Sequence, residues 1–330
     1  MSSGGVYSSR PVPTVLGSSG LAVSRMGLGL AALGRPGYIN LGHASDLAGH
    51  TPVASLERLA HSVLDAAYER GVRYFDAARS YGLGEAFLAA WLERRGLGPD
   101  EVTVGSKWGY SYTADWRVDA AVNEVKDLSA EALRRQLAES RKLLRANLRL
   151  YQIHSATMES GVLEDRSVLD ELAGLRASGV SIGLTVTGPR QGETIERALG
   201  VGGFDTVQAT WNLLEQGAGP ALNAAHAAGM GVIIKEPLAN ARLTVRGDVT
   251  ELANAASTAG STPDALALAV VLAQPWADVV LSGAASVREV DSNLAALVLQ
   301  LDPQLMERLL DTVHQDSFSY WQMRAALPWN

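Results

Sequence analysis

A helical segment that ends in glycine and is followed by a short apolar run recurs along the chain. The stretches are LDAAYERGVRYFD, LAGLRASGVSIGL and LNAAHAAGMGVII, in which the glycines are Gly71, Gly179 and Gly229. Glycine just past a helix readily adopts the left-handed backbone conformation that ends many helices. The apolar run after each glycine is typical of a strand buried on both faces, as in a parallel sheet. The repeat therefore predicts α/β winding, in which helices and strands alternate.

The same pattern yields eight candidate strands, most of them separated by a helical stretch. They are Arg25–Gly29, Val72–Asp76, Val102–Lys107, Leu150–His154, Val180–Val186, Thr206–Thr210, Val232–Lys235 and Val279–Ser282. Eight β–α units predict an α/β fold of the (β/α)8 TIM-barrel type, whose functional residues lie where the strands end. An open, doubly wound sheet is the alternative. No Gly-x-Gly-x-x-Gly opens a helix after an early strand, which counts against a Rossmann fold.

The segments outside this repeat complete the predicted architecture. Before the first strand, TVLGSSGLAVSRM has two short alternating runs joined by Ser-Ser-Gly, which predicts a β-hairpin at one end of the barrel. Long connections, Arg35–Pro52 and Trp108–Leu128, follow the first and third strands, and loops of this length are usually functional or disordered. We expect a single domain over residues 1–330, with residues 1–12 flexible.

The composition limits the classes of partner. With 47% hydrophobic and 19% charged residues, the 330-residue chain can bury a large core. Its net charge of −7 gives no general attraction to nucleic acid or to an anionic membrane. The absence of cysteine excludes disulfides, thiolate zinc sites and a cysteine nucleophile. No secretory signal is evident, and the longest purely apolar run, Ala265–Ala273, is far shorter than the roughly 20 residues that cross a bilayer. We expect a cytoplasmic protein without nucleic-acid or membrane partners.

Four polar residues collect at the predicted strand ends. Asp76 ends the second strand, Tyr81 follows it, Lys107 ends the third strand and His154 ends the fourth. Each alone has an ordinary explanation: a helix cap, a packed ring, a solvated strand exit and a hydrogen-bonded core histidine. Because the ends of barrel strands meet at one face, a single shared site explains all four more simply.

The four side chains together suit proton transfer to an oxygen atom. The pKa of free tyrosine is about 10, which is too high for an efficient acid at neutral pH. We expect the ammonium of Lys107 to lower the pKa of Tyr81, and Asp76 to hold that ammonium in place. His154 could orient a substrate oxygen or share the proton. No side chain supplies a hydride, so the set implies a nicotinamide cofactor.

In this arrangement the sequence resembles the aldo-keto reductase family, and the likeness extends from MGLGLAALG to VREVDSNLAAL. The resemblance implies a (β/α)8 barrel that binds NAD(P)H without a Rossmann domain and acts on small aldehydes or ketones, or on the matching alcohols and sugars. The family's catalytic Asp–Tyr–Lys–His tetrad maps onto Asp76, Tyr81, Lys107 and His154, in the same order and in matching motifs.

The resemblance also implies residues that bind the cofactor. Thr185 occupies the position of a serine that binds the nicotinamide carboxamide, and Gln208 matches a glutamine that binds the same amide. Lys235 stands where many members stack an aromatic ring on the nicotinamide. The positions implied along the rest of the cofactor are Pro237 and Leu238 in EPLANARL, and Gly283, Arg288, Glu289 and Asn293 in LSGAASVREVDSN.

The coenzyme implied by the resemblance is NADPH, the usual choice in the family. Ala285 stands where a basic residue is common, and Glu289 stands where many members carry arginine or glutamine. A carboxylate repels a 2′-phosphate and can accept a hydrogen bond from a free ribose hydroxyl. Arg288 and Ser286 are close enough in sequence to bind a phosphate instead. We therefore expect NADPH to work, with NADH as a comparable coenzyme.

Other functions remain open from the residues alone. A metal-dependent barrel hydrolase could use Asp76 and His154, although the sequence lacks the His-x-His or His-Glu-x-x-His spacing that would supply further ligands. A barrel that binds a nucleotide without turnover is a second alternative, although a pure binding role needs no Tyr–Lys pair. The long connections and the aromatic tail SFSYWQMRAALPWN are expected to shape the substrate pocket.

Overall fold

Eight parallel strands close into a barrel in the computed structural model, which describes residues 14–330. The predicted flexibility of residues 1–12 lies outside the described residues. The strands are β1 (Thr14–Val15), β2 (Ala22–Val23), β3 (Met26–Gly29), β4 (Tyr74–Asp76), β5 (Thr103–Trp108), β6 (Tyr110–Tyr112), β7 (Glu124–Lys126), β8 (Leu148–Ala156), β9 (Ser181–Val186), β10 (Thr206–Thr210), β11 (Gly231–Lys235) and β12 (Val279–Ser282). The barrel runs in the order β3, β4, β5, β8, β9, β10, β11, β12 and back to β3.

This strand order confirms the predicted (β/α)8 barrel and excludes the alternative of an open, doubly wound sheet. Each of the eight predicted strands is a barrel strand, and the bounds differ by a few residues. The predicted strand Val72–Asp76 begins at Tyr74, for example, and Leu150–His154 extends in the structure to Leu148–Ala156. Strands that neighbour each other in the barrel also follow each other along the chain, as short right-handed crossovers favour.

Helices cover the outside of the barrel. Within residues 14–330 they are α1 (His43–Leu47), α2 (Val53–Glu69), α3 (Gly84–Arg95), α4 (Ala130–Leu144), α5 (Arg166–Ala177), α6 (Gln191–Val201), α7 (Gly219–Ala227), α8 (Thr250–Thr258), α9 (Pro263–Leu272), α10 (Val287–Leu294), α11 (Pro303–Val313) and α12 (Ser317–Ala325), with single 3₁₀ turns at Arg145–Asn147, Met158–Ser160 and Ala295–Leu297. Gly71, Gly179 and Gly229 follow α2, α5 and α7 with φ of 96°, 92° and 88°, so the predicted left-handed helix ends are confirmed.

The predicted N-terminal hairpin is confirmed and closes the amino-terminal end of the barrel. Strands β1 and β2 pair antiparallel. The hairpin side chains of Leu16 and Val23 are fully buried. They pack against side chains of the barrel, including Leu150, Ile233 and Val279. This end is therefore filled with apolar side chains, and the opposite end is left for a polar site.

The first long connection is ordered by contacts with distant parts of the chain. It contains α1, from which Asp46 forms an ion pair with Arg246 in the loop after β11. Its backbone also pairs with the C-terminus, because Tyr38 N–H donates to Asn330 O (3.1 Å) and Asn330 N–H donates to Tyr38 O (3.2 Å). This connection is therefore held between two other segments at the carboxyl end of the barrel.

The second long connection and the tail also contain regular structure. Residues of Trp108–Leu128 form the antiparallel hairpin β6–β7, and the aromatic tail contains α12. Tyr320 of α12 is buried, and its hydroxyl accepts a hydrogen bond from Asn212 Nδ2 (3.1 Å). These segments extend the carboxyl end of the barrel outward.

No single helix within residues 14–330 is long and apolar enough to cross a membrane, although α8 and α9, bent by 90° relative to each other, pass such a test together by length and composition.

Two glycines fix the turn that carries Tyr81. Gly82 has φ of 56°, a left-handed conformation that favours glycine. A Cβ atom at Gly34, in the loop after β3, would lie 2.0 Å from Tyr81 O. Leu83 N–H donates to Gly34 O (2.7 Å), so the two loops are joined through their backbones. The position of Tyr81 therefore depends on the absence of a side chain at residue 34.

Gly34→Ala should destabilise the protein by about 1–3 kcal/mol, because the new methyl group overlaps backbone that has no room to yield. Gly174→Ala, in the exposed interior of α5 where an added Cβ meets nothing within 4 Å, is the matched control and should be neutral or slightly stabilising. Denaturant unfolding of both variants measures the difference. Equal stability of the two variants would show that the Tyr81 turn is not fixed by this contact.

Candidate active site

The four predicted catalytic residues meet at the carboxyl end of the barrel. Asp76 is the last residue of β4, Lys107 lies near the end of β5 and His154 lies near the end of β8. Tyr81 lies in the turn before α3, where Gly84 N–H donates to Tyr81 O (2.9 Å). Asp76, Tyr81 and His154 line one cavity, and Lys107 lies behind Tyr81. The structure therefore brings together the residues that the sequence places in one site.

A buried ion pair joins Lys107 and Asp76. The two side chains are 0% and 2% exposed. Lys107 Nζ also donates to Ala77 O (2.9 Å) and to Tyr81 Oη (3.3 Å). An ammonium has three N–H groups, so each finds an acceptor here. Because Tyr81 Oη accepts the third hydrogen bond, its own O–H is free to point into the cavity.

The second carboxylate oxygen of Asp76 is also well satisfied. Asp76 Oδ1 accepts hydrogen bonds from Tyr74 Oη (3.1 Å), Gln152 Nε2 (3.3 Å) and Gln208 Nε2 (3.1 Å). These donors come from β4, β8 and β10, so the carboxylate holds three strands of the barrel together. Gln208, predicted to bind the cofactor, is thus oriented by Asp76 while it lines the cavity.

The pKa of Tyr81 is raised well above its ordinary value of 10. Burial is the main cause, the charge of Asp76 acts in the same direction, and Arg35 opposes it. The prediction that the ammonium of Lys107 lowers the pKa of Tyr81 is therefore wrong, because the net shift of this pKa is upward. The physical reason is that burial disfavours the phenolate and the Asp76 carboxylate, paired with Lys107, adds a negative charge. Tyr81 accordingly carries its proton at neutral pH.

His154 lies between two aromatic rings at the cavity wall. Its ring centroid is 5.7 Å from that of Tyr81 and 5.0 Å from that of Tyr110, both in edge-to-face geometry. Burial, followed by the charges of Lys107 and Lys235, holds the pKa of His154 well below its usual value of 6.5. The imidazole is therefore neutral. Its buried Nδ1 has no hydrogen-bond partner among residues 14–330.

Arg35 was not predicted as a site residue, yet it is buried beside Tyr81. Its guanidinium carbon is 5.5 Å from the centroid of the Tyr81 ring and 4.6 Å from that of Trp329. It forms an ion pair with Glu124 of β7 and donates to Ser80 O (2.8 Å). A single arginine in the Arg-Pro-Gly sequence of a long loop has no periodicity that would reveal its burial.

The cavity has a volume of about 810 Å³ and extends from this cluster to the segment after β12. This volume is within the usual range for ligand sites. The long connections and the tail contribute Tyr38, Tyr110, Leu327 and Trp329 to its wall, so these segments shape the cavity. The predicted cofactor-binding residues that line it are Gln208, Lys235, Pro237, Leu238, Gly283, Arg288, Glu289 and Asn293.

Thr185 differs from the other predicted cofactor-binding residues. Its side chain is fully buried, it does not line the cavity, and its Oγ1 accepts a hydrogen bond from Ser155 N–H (2.7 Å). Ser155 itself lines the cavity and has a left-handed φ of 58°. The threonine therefore holds a strained backbone position next to His154.

The far end of the cavity contains a mixture of charges. Glu289 Oε2 accepts a hydrogen bond from Ala285 N–H (2.8 Å), and Glu289 Oε1 lies 3.9 Å from Arg246. Burial raises the pKa of Glu289. Asn293 Nδ2 donates to Ser282 Oγ (2.8 Å). Glu289 is thus directed back toward the loop after β12.

The residues present fit a nicotinamide dinucleotide better than a metal ion. Within the described part of the chain, no three histidine, aspartate or glutamate side chains are placed to hold a metal. The cavity is long enough to connect the tetrad with Arg288, and it offers an unpartnered histidine nitrogen at one end and cationic and amide side chains at the other.

Comparison with known proteins agrees with this fold. The model of the Aldo/keto reductase family matches residues 25–313, a range that contains all eight barrel strands and the tetrad. The fold is thus that of the barrel oxidoreductases, and the chain belongs to the aldo/keto reductase family.

Individual relatives are distant but similar over most of their length. The protein named Uncharacterized oxidoreductase YrpG, from Bacillus subtilis (strain 168), is 26% identical over 338 aligned positions, which cover 90% of this chain and 94% of the relative. The solved structure of aldo-keto reductase AKR11C1 from Bacillus halodurans, in its holo form, is 21% identical with a TM-score of 0.73 and covers 93% of this chain and 98% of that chain. The second likeness shows the shared fold.

Lys107→Met should lower the free energy of unfolding by about 3–5 kcal/mol, because it leaves the buried carboxylate of Asp76 without its partner. Lys142→Met, on the exposed face of α4, is the matched control and should change stability by less than about 0.5 kcal/mol. Adding Asp76→Leu to Lys107→Met should recover part of the loss, since no unpaired charge is then buried. A loss below about 1 kcal/mol for Lys107→Met, as for an exposed pair, would contradict this description.

Proposed function

We propose that this protein catalyses NAD(P)H-dependent reduction of an aldehyde or ketone to an alcohol, or oxidation of the matching alcohol or sugar, with Tyr81 as the general acid/base. The observation that carries the proposal is the hydrogen bond from Lys107 Nζ to Tyr81 Oη (3.3 Å) at the cavity wall. It leaves the phenol proton directed away from Lys107. The family match supports the same reaction class.

In the direction of reduction, Tyr81 donates its proton to the carbonyl oxygen. The raised pKa keeps that proton on the phenol at neutral pH until the oxygen becomes strongly basic. As the proton leaves, negative charge develops on Tyr81 Oη, and the ammonium of Lys107 stabilises it through the existing hydrogen bond. The lysine therefore contributes mainly to the transition state and not to the resting pKa.

His154 and Asp76 support this transfer. A neutral imidazole has one donor and one acceptor nitrogen, so His154 can hydrogen-bond the substrate oxygen without adding a positive charge. Asp76 keeps Lys107 charged and in place through the buried ion pair. Arg35 confines Tyr81 from the side of the first long connection.

A nicotinamide cofactor supplies the hydride when it is bound. Gln208 and Lys235 would hold it next to the tetrad, and Pro237, Leu238 and Gly283 would follow it along the cavity. Arg288, Glu289 and Asn293 would contact its far end. Thr185 would act indirectly, by fixing Ser155 at the cavity wall.

Tyr81→Phe should lower turnover by about two to four orders of magnitude, the usual scale for the loss of a proton donor. It should leave the affinity for the cofactor nearly unchanged, because the ring remains. The measurement is the rate of NAD(P)H consumption with several reactive aldehydes and ketones, in the presence and absence of a chelator. Tyr68→Phe, which removes a hydroxyl on the outer helix α2, is the matched control. Wild-type turnover in Tyr81→Phe would show that another group donates the proton.

Glu289 and Arg288 are proposed to set the choice of coenzyme. The carboxylate of Glu289 would repel a 2′-phosphate or accept a hydrogen bond from a free ribose hydroxyl. Arg288, which also lines the cavity, would attract the phosphate. Ser286 Oγ accepts a hydrogen bond from Glu289 N–H (3.3 Å) as the cap of α10, which leaves its O–H able to donate to a phosphate. NADPH is therefore expected to work, with weak discrimination against NADH.

The ratio of kcat/KM for NADPH to that for NADH should remain below about a thousandfold, which corresponds to roughly 4 kcal/mol. Glu289→Gln should raise the ratio, since it removes a negative charge near the expected phosphate. Glu307→Gln, on the exposed face of α11, is the control for loss of a carboxylate elsewhere. A wild-type ratio above a thousandfold, or no change in Glu289→Gln, would rule out this assignment.

A further inference from the structure

Lys235 is a cation at the cavity wall that forms no ion pair with any residue of the described range 14–330. By contrast, Lys107 is paired with Asp76 and Arg324 with Glu236. Lys235 Nζ instead donates to Thr210 Oγ1 (3.0 Å). Its positive charge is therefore not cancelled by a direct contact with a carboxylate.

The position of this ammonium is well defined. Thr210 and Lys235 are register partners on the neighbouring strands β10 and β11. Thr210 Oγ1 donates to Glu236 Oε2 (3.3 Å), which directs a lone pair of the hydroxyl toward Lys235. Lys235 Nζ also lies 5.8 Å from the centroid of the Trp321 ring of α12, within range of a cation–π contact. Both contacts hold the charge at the cavity wall.

The barrel order places Lys235 along the path of the proposed cofactor. Strand β11 lies between β10, which carries Gln208, and β12, which leads to Gly283 and Arg288. A dinucleotide that contacts both Gln208 and Arg288 therefore passes the end of β11. The charge also reaches the tetrad, since it contributes to the lowered pKa of His154.

We propose that Lys235 sets the oxidation-state preference of the cavity, because its ammonium favours the neutral reduced nicotinamide over the positively charged oxidised ring. The inference rests on the proposed function. As a consequence, the equilibrium between the enzyme-bound reactants and products should be shifted toward oxidation of an alcohol. In that direction the C–H bond of the alcohol would break and its hydrogen and electron pair would pass to a bound nicotinamide. The hydroxyl proton would pass to Tyr81 in its phenolate form, after the phenol has lost its own proton to solvent. The products are a carbonyl compound and the reduced cofactor.

The bias should depend on pH in a predictable direction. Burial lowers the pKa of Lys235 to about 8, with Glu236 and Asp76 opposing and Arg324 and Lys107 acting in the same direction. The ammonium is present below this pKa and is lost as the pH rises through it, so the bias should fade above about pH 8. The nearby His154 is already neutral in this pH range because its pKa is lowered.

Two of the charged neighbours of Lys235, Glu236 and Arg324, keep their charges in this pH range. The pKa of Glu236 is lowered to about 2, although burial alone would raise it, because Arg324 and Lys235 favour its ionised form. The pKa of Arg324 is raised, mainly by Glu236 against the effect of burial. Lys235 is therefore the group whose titration the experiment follows.

The test compares equilibrium dissociation constants of the oxidised and reduced cofactors, by calorimetry or fluorescence titration, without substrate. Lys235→Met should lower the ratio of Kd for the oxidised form to Kd for the reduced form by about tenfold or more, since an ammonium no longer opposes the cationic ring. Lys235→Arg should keep the ratio, and should keep it also at about pH 9.5, where arginine remains charged. The wild-type ratio should fall between about pH 7 and pH 9.5.

Lys142→Met, on the exposed face of α4, is the control for loss of a lysine elsewhere and should retain the wild-type ratio. Unchanged ratios in Lys235→Met, within about twofold, would overturn the inference while leaving the proposed function intact. If Lys235→Met fails to fold, the pH series of the wild type against Lys235→Arg decides, and identical pH dependence of the two would overturn the inference. Failure of wild-type protein to bind any nicotinamide cofactor would overturn the proposed function, and the inference with it.

Discussion

The buried ion pair between Lys107 and Asp76 is the interaction on which the rest of the site depends. Two charges at this depth are stable only when their remaining hydrogen-bonding groups are satisfied. Asp76 meets this requirement with donors from three barrel strands, and Lys107 meets it with Ala77 O and Tyr81 Oη. Because the ammonium of Lys107 needs a third acceptor, it donates to Tyr81 Oη and so holds the phenol against the barrel. The same bond leaves the phenol proton available on the cavity side.

Two further ion pairs lie at the outer wall of the cavity. Arg35 with Glu124 joins the first long connection to the β6–β7 hairpin, and Arg324 with Glu236 joins α12 to the loop after β11. Each pair places an arginine next to an aromatic ring, with Arg35 buried and Arg324 half-buried. Lys235 has no carboxylate partner of this kind within residues 14–330, and we propose that its charge sets the preference of the cavity for one oxidation state of the cofactor.

Much of the fold could be predicted from local patterns, because the signals that specify it are local. Glycines after α2, α5 and α7 and the apolar runs that follow them marked the alternation of helices and strands. The tetrad was equally accessible, since Asp76, Lys107 and His154 lie at strand ends that a barrel brings to one face. The cavity wall formed by the long connections and the tail could not be predicted in the same way, because no periodicity marks the inward positions of Arg35 and Arg324.

The electrostatics of the site depended on the three-dimensional arrangement. The sequence pairs Tyr81 with a lysine and suggests a lowered pKa, but burial and the position of Asp76 reverse the net direction. Thr185 was assigned to cofactor binding by its place in the chain, whereas its hydroxyl faces Ser155 and not the cavity. Both differences arise from side-chain burial and direction, which a linear pattern does not determine.

The central claim is that the cavity transfers a hydride from a nicotinamide cofactor to a carbonyl carbon while Tyr81 supplies the proton. Its most direct test uses NADPH or NADH deuterated at the transferable C4 position, with a reactive aldehyde, and locates the label in the product by mass spectrometry. We expect an alcohol that carries the deuterium on its carbinol carbon, in an amount equal to the cofactor oxidised. A protein that binds the cofactor but yields no labelled alcohol, or that introduces hydrogen from solvent at that carbon, would contradict it.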